Sequence, residues 1–224
     1  KYWAFAALLA CLAACGGGDD PAESLEKGRA LLEAGDLAAA VIELKNAVQG
    51  APDNPETRFV LGKAYLEVSD AAAGLKELKR ARALGMAPDE LNRAITKALI
   101  TNGSVDVAAT ELALNGNDSN AEWIGLQALL DLAVGRFEEA RAGFERAIEM
   151  DPSNLDARRA VVRAAVGMGD TEQARKDVQE ALEVTQDDFD IWLLKGDLDR
   201  HDKNYDDARE AYSKALEIIP GSPL

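Results

Sequence analysis

Two sets of residues combine a reactive type with a telling position. The first is Cys15, a thiol at the end of an uncharged apolar stretch, residues 2–15, that follows Lys1. A thiolate is a soft nucleophile, and Ala13 and Ala14 before it are small enough for a narrow peptidase cleft. A basic head, a short apolar run and small residues at a cleavage point make residues 1–14 a secretory signal. A packed helix with a free thiol is the bland alternative, and cleavage one turn earlier, at Cys11, would leave an apolar tail. The second set is a row of cations at one phase of a repeat: Arg29, Lys63, Lys97 and Arg163, with Arg93 and Arg159 one turn ahead of the last two. Such a row could grip an acidic peptide or an anionic polysaccharide. Equally, its members could be solvated and paired with acids on neighbouring helices, each pair worth little. Another phase is acidic in five units, at Glu56, Glu90, Glu122, Asp156 and Asp190, near helix starts, where negative charge is favoured.

Other chemistry fails on residue type. His201 is the only histidine, so a His-rich metal cluster or a Ser/His/Asp triad cannot be built within the chain. Asp197, Asp199 and Asp202 suggest calcium, but the glycine and terminal glutamate of an EF-hand loop are missing. They read as a solvated acidic face. The glycines 16–18 have no preceding strand and no Lys-Ser/Thr partner, so they form no phosphate loop. No catalytic residue, metal or cofactor is expected. The formal charge of −15 makes nucleic acid an unfavourable partner.

The elements that position the cations repeat. Ala40, Gly74, Ala108, Ala140, Ala174 and Ala208 stand 34, 34, 32, 34 and 34 residues apart. Four places later come Leu44, Leu78, Leu112, Phe144, Val178 and Tyr212, and three beyond those, in five copies, Ala47, Ala81, Ala147, Ala181 and Ala215. Small, large, small at this spacing lies on one helix face. Twelve places upstream is a second column: Gly28, Gly62, Thr96, Ala128, Val162 and Gly196. Between the columns lie turn pairs such as Gly35-Asp36, Gly135-Arg136 and Gly169-Asp170, and Pro52, Pro152 and Pro220 close three units. A period of about 34 is one helix–turn–helix unit. Apolar residues make up 47 % but aromatic ones only 5 %, so the core is expected to be built from Ala and Leu, with each unit buried only on its neighbours. No run in residues 21–220 approaches the roughly 20 apolar residues of a membrane-spanning helix.

These phases resemble the tetratricopeptide repeat (TPR) family over residues 21–220, best in Trp192, Gly196, Ala208, Tyr212, Ala215 and Pro220. The resemblance implies an all-α, right-handed superhelical solenoid of about six repeats: 21–54, 55–88, 89–120, 121–154, 155–188 and 189–220. In that family the first helices line a groove. Arg29, Lys63, Lys97 and Arg163 would point into it, with Arg93, Arg159 and the apolar Phe59 one turn earlier. Trp123 and Trp192 would pack between units. The 89–120 copy is two residues short and has Thr96 in place of glycine, so a bend or looser packing is expected there. The lysine/asparagine pattern of chaperone-binding TPR clamps is absent.

Leu12-Ala13-Ala14-Cys15 resembles the lipobox of bacterial lipoproteins. The likeness implies that Cys15 takes a diacylglycerol thioether and becomes the first mature residue, with residues 15–20 as a lipidated tether. Two or three acyl chains anchor a protein stably. Gly16 in place of aspartate implies the outer membrane, periplasmic face, by the sorting rule of Gram-negative lipoproteins. Together with Ala39–Ala47, Pro52–Glu56 and Arg58–Leu66, the chain looks like the TPR-repeat lipoproteins of PEP-CTERM systems, which implies a scaffold for exopolysaccharide export and exosortase sorting. An assembly lipoprotein for a type IV pilus secretin or the outer-membrane protein insertion complex is the first alternative. A TPR appendage of an enzyme is the second. Residues 221–224 are expected to open a further repeat, because Pro223 falls where Pro21 and Pro55 open earlier ones.

Overall fold

The computed structural model describes residues 20–219. Among them are twelve α-helices and no strand: α1 Pro21–Glu33, α2 Leu37–Gly50, α3 Pro55–Glu67, α4 Ala71–Ala83, α5 Asp89–Thr101, α6 Val105–Asn115, α7 Ala121–Ala133, α8 Phe137–Met150, α9 Leu155–Gly167, α10 Thr171–Val184, α11 Phe189–His201 and α12 Tyr205–Ile218. The chain divides into two compact units, 1–91 and 92–224, and the division falls inside α5. Leu12, Ala13, Ala14, Cys15 and Pro220 lie outside the described residues.

Helices pair because each second helix presents a knob to a small seat on the first. Leu44 and Leu78 are fully buried. A Cβ built on Gly28 would lie 2.6 Å from Leu44 Cγ, and one on Gly62 2.7 Å from Leu78 Cγ. Those glycines are therefore there for space. Where the seat is larger the knob changes: Val162 stands with Val178 in one buried cluster, and Ala128 with Phe144 in another. Gly196 faces the ring of Tyr212, the largest knob.

Chain direction is set at two kinds of punctuation. Gly35, Ser69, Gly103, Gly135, Gly169 and Lys203, at one phase of every unit, all have φ between +62° and +81°. This left-handed residue ends the first helix. The next residue caps the second. Asp36, Asp70 and Asp170 accept the backbone N–H three residues on, at 3.1, 3.0 and 2.9 Å, each cap contributing about 1 kcal/mol. First helices begin on Asn54, Asn120, Asn154 and Asp188, whose side chains also accept N–H groups of the first turn.

The third pair differs from the rest. Its α6, with 11 residues, is the shortest of the described helices. Thr96 sits fully buried where three other copies have glycine, and its hydroxyl donates to the Asn92 carbonyl at 2.8 Å. Val107 and Leu114 of α6 remain exposed.

Candidate protein-binding groove

Three of the residues singled out in the sequence come together in the first unit. Arg29 of α1 and Phe59 and Lys63 of α3 line a hollow of about 710 Å3. Phe59 is buried in its floor next to Val60, while Leu32, Leu84 and Met86 are half-buried around it. Met86 reaches this place because Gly85 turns the α4–α5 connection at φ +91°, a conformation glycine adopts without strain. Lys63 Nζ stands 5.5 Å from the centroid of the Phe59 ring, a cation–π contact.

Both cations of the groove meet acids of the next first helix, on α3 for Arg29 and α5 for Lys63. Arg29 Nη2 donates to Glu56 Oε1 at 2.5 Å, and Lys63 Nζ donates to Glu90 Oε1 at 2.6 Å. Each acid lies 27 residues after its cation, at the second position of a first helix. The charge that stabilises a helix start thus also answers the preceding repeat. Glu33, the last residue of α1, lines the same hollow, is exposed, and meets no cation among the described residues.

In the second unit two of the other four cations, Arg93 and Arg159, meet acids at the start of the next first helix, and two, Lys97 and Arg163, depart from the rule. Arg93 pairs with Glu122. Arg159 Nε donates to Asp188 Oδ2 at 3.0 Å and its Nη1 to Asp156 Oδ1 at 2.9 Å, with Asp190 at 3.6 Å. Lys97 lies 3.5 Å from Asp156, one repeat further on than the pattern predicts. Between those two repeats stands Gly125, where an added Cβ would meet open space. Arg163 is exposed and meets no acid among the described residues. The row therefore exists, but most of its charge is matched within the chain.

The solvated acidic face expected at Asp197, Asp199 and Asp202 is corrected for Asp199, which is only 2 % exposed. Its Oδ1 accepts from Arg175 Nη1 at 2.6 Å and its Oδ2 from Lys195 Nζ at 2.7 Å. Burial by itself raises its pKa, and the hydrogen bonds from Lys195 and Arg175 outweigh that, holding the carboxyl below its usual range. Asp197 and Asp202 are engaged too, accepting from the Tyr212 hydroxyl at 2.8 Å and Arg175 Nη2 at 2.8 Å. No group of three metal-ligating side chains occurs among the described residues. Trp123 is buried, and Trp192 is half-buried with its indole N–H on the Gln186 carbonyl at 2.8 Å.

The sequence model of the tetratricopeptide repeat family matches residues 25–90, 126–165 and 160–223, more than half of the chain. The chain belongs to the tetratricopeptide repeat family. Its fold is similar to that of a TPR protein from Parabacteroides merdae ATCC 43184, with a TM-score of 0.74 at 16 % identity over 90 % of this chain and 80 % of that one. It is also similar to PilW, described as a widely conserved type IV pilus biogenesis factor, with a TM-score of 0.63 at 15 % identity over 90 % and 94 % of the two chains. In sequence, 90 residues are 28 % identical to the human protein O-mannosyl-transferase TMTC1, covering 40 % of this chain and about a tenth of the transferase. These TPR helices form an all-α repeat fold that is typically a non-catalytic scaffold for protein–protein interaction.

Proposed function

We propose that the chain is a lipid-anchored scaffold of the bacterial envelope that holds a segment of a protein partner in the groove of its first unit. The observation that carries the interaction reading is the 710 Å3 hollow, whose apolar floor at Phe59 is framed by charged rims. Its size falls within the roughly 300–1,000 Å3 of small-ligand sites. Two measurements test the reading. A photoreactive amino acid at Leu32 is expected to give discrete protein adducts in cells, and one at the exposed Lys45 of α2 none of the same mass. Identical adducts from both positions, or none from Leu32, would reject the groove. For the anchor, radiolabelled palmitate is expected to enter the full chain and to be lost in Cys15→Ser; equal labelling of both would reject it.

The membrane address rests on the lipobox, and the assignment to exopolysaccharide export and PEP-CTERM sorting rests on that motif together with the repeat phrases at 39–47, 52–56 and 58–66. A pilus-assembly role is the second reading, supported by the likeness to PilW over nearly the whole of both folds. An acidic peptide or anionic polysaccharide as ligand finds its best footing at Arg163, which has no counter-ion of its own among the described residues.

A further inference from the structure

We infer that the segment held in the first unit's groove is a large apolar side chain flanked by lysine or arginine, and not an acidic stretch; this rests on the reading of that groove as a protein-binding site. An incoming carboxylate would find both cations engaged. It would either join Glu56 at Arg29 or Glu90 at Lys63 or displace it, and in each case it would stand beside a carboxylate already there. Like charges at that distance repel.

The charge that remains unanswered is negative. Three acids, Glu33, Glu56 and Glu90, line a hollow with two cations, and Glu33 is the one without a counter-ion among the described residues. It stands at the C-terminal end of α1, whose last turn holds no basic residue. The helix dipole puts a partial negative charge at the same place, so the two add. The net charge of −15 draws cationic segments toward the chain at long range. Below the rim the complement is apolar. Leu32, Leu84 and Met86 surround Phe59, and an unbranched thioether adapts to the shape of what enters. A cation over Glu33 and an apolar group against Met86 can belong to one short segment, since both residues line one hollow.

Three blocked, fluorescein-labelled peptides test this on the full chain by anisotropy at 0.15 M salt: a Leu-Phe core flanked by lysines, the same core flanked by glutamates, and a Gly-Ser core flanked by lysines. The first is expected to bind at least tenfold tighter than either of the others. Glu33→Gln, an exposed change, should cut the preference for lysine over glutamate flanks about threefold, and Glu33→Lys should cut it further. Met86→Ser should weaken both Leu-Phe peptides alike. Glutamate flanks binding as well as lysine flanks, or a preference untouched by both Glu33 variants, overturns the inference and leaves the groove standing. If no peptide binds, or Met86→Ser changes nothing, the groove reading falls with it.

Discussion

The ion pairs of the first unit's groove and those between helices of the second unit use the same side chains to different ends. In the groove, Arg29 and Glu56 keep 37 % and 59 % of their side-chain surface in water. Between α10 and α11, the side chain of Asp199 keeps 3 %, and between α8 and α10 that of Asp177 keeps 5 %. Asp177 accepts two bonds from Arg141, at 2.5 and 3.0 Å, and one from Gln173 at 2.9 Å. A carboxylate removed from water needs such partners, because an unmatched buried charge is costly. An exposed pair is screened and contributes about 0–1 kcal/mol. Solvent access, more than residue type, decides whether a pair holds helices together or tunes a surface open to exchange with a ligand.

The strongest attempt to break that contrast is Asp199→Asn. It removes the negative charge, and one of the two acceptor oxygens, that Arg175 and Lys195 share, and is expected to cost about 3 kcal/mol in urea unfolding at pH 7. Because the folded carboxyl lies below its unfolded value, its contribution is present above roughly pH 4 and fades as pH falls through the folded pKa. Wild type and variant should therefore converge in acid, and a gap that stays constant to pH 3 would contradict the clasp. Gly62→Ala asks how much packing contributes between α3 and α4, which the largely buried Arg58–Glu77 pair also joins. With Leu78 Cγ 2.7 Å and the Gly74 carbonyl 3.2 Å from the new Cβ, a loss of about 2 kcal/mol is expected, partly recovered by Leu78→Val; calorimetry showing no loss would mean that the seat is loose. Glu56→Gln should cost less than about 0.5 kcal/mol, and nothing measurable in 1 M salt. A loss comparable to that of Asp199→Asn would erase the distinction between the two kinds of pair.

The fold was readable because close helix packing constrains residue size at fixed phases. Ala40, Leu44 and Ala47 can be recognised without coordinates, since all three are fully buried and each has its counterpart about 34 residues on. The groove was readable only in part. Arg29, Phe59 and Lys63 follow the period and could be named, but Leu84 and Met86 belong to a connection that no other repeat copies, so periodicity says nothing of them. The counter-ions were visible as acids at helix starts; the interval of 27 between Arg29 and Glu56, and again between Lys63 and Glu90, was the overlooked sign that they face the preceding cation. Asp199 misled because three nearby acids look solvated in a sequence, while the arginine that buries one of them lies 24 residues away on another helix.

The matched sizes of seat and knob also bear on how such a chain can vary. Gly62 with Leu78 and Val162 with Val178 trade size between seat and knob, whereas Phe144 is accommodated with Ala128 where Gly143 lets the helices approach, a Cβ there falling 2.7 Å from the Ala128 Cβ, so size on one helix is tied to size on its mate. Relatives should thus exchange these two columns in step, and a chimera that joins the first helix of one repeat to the second of another should inherit either a void or a clash.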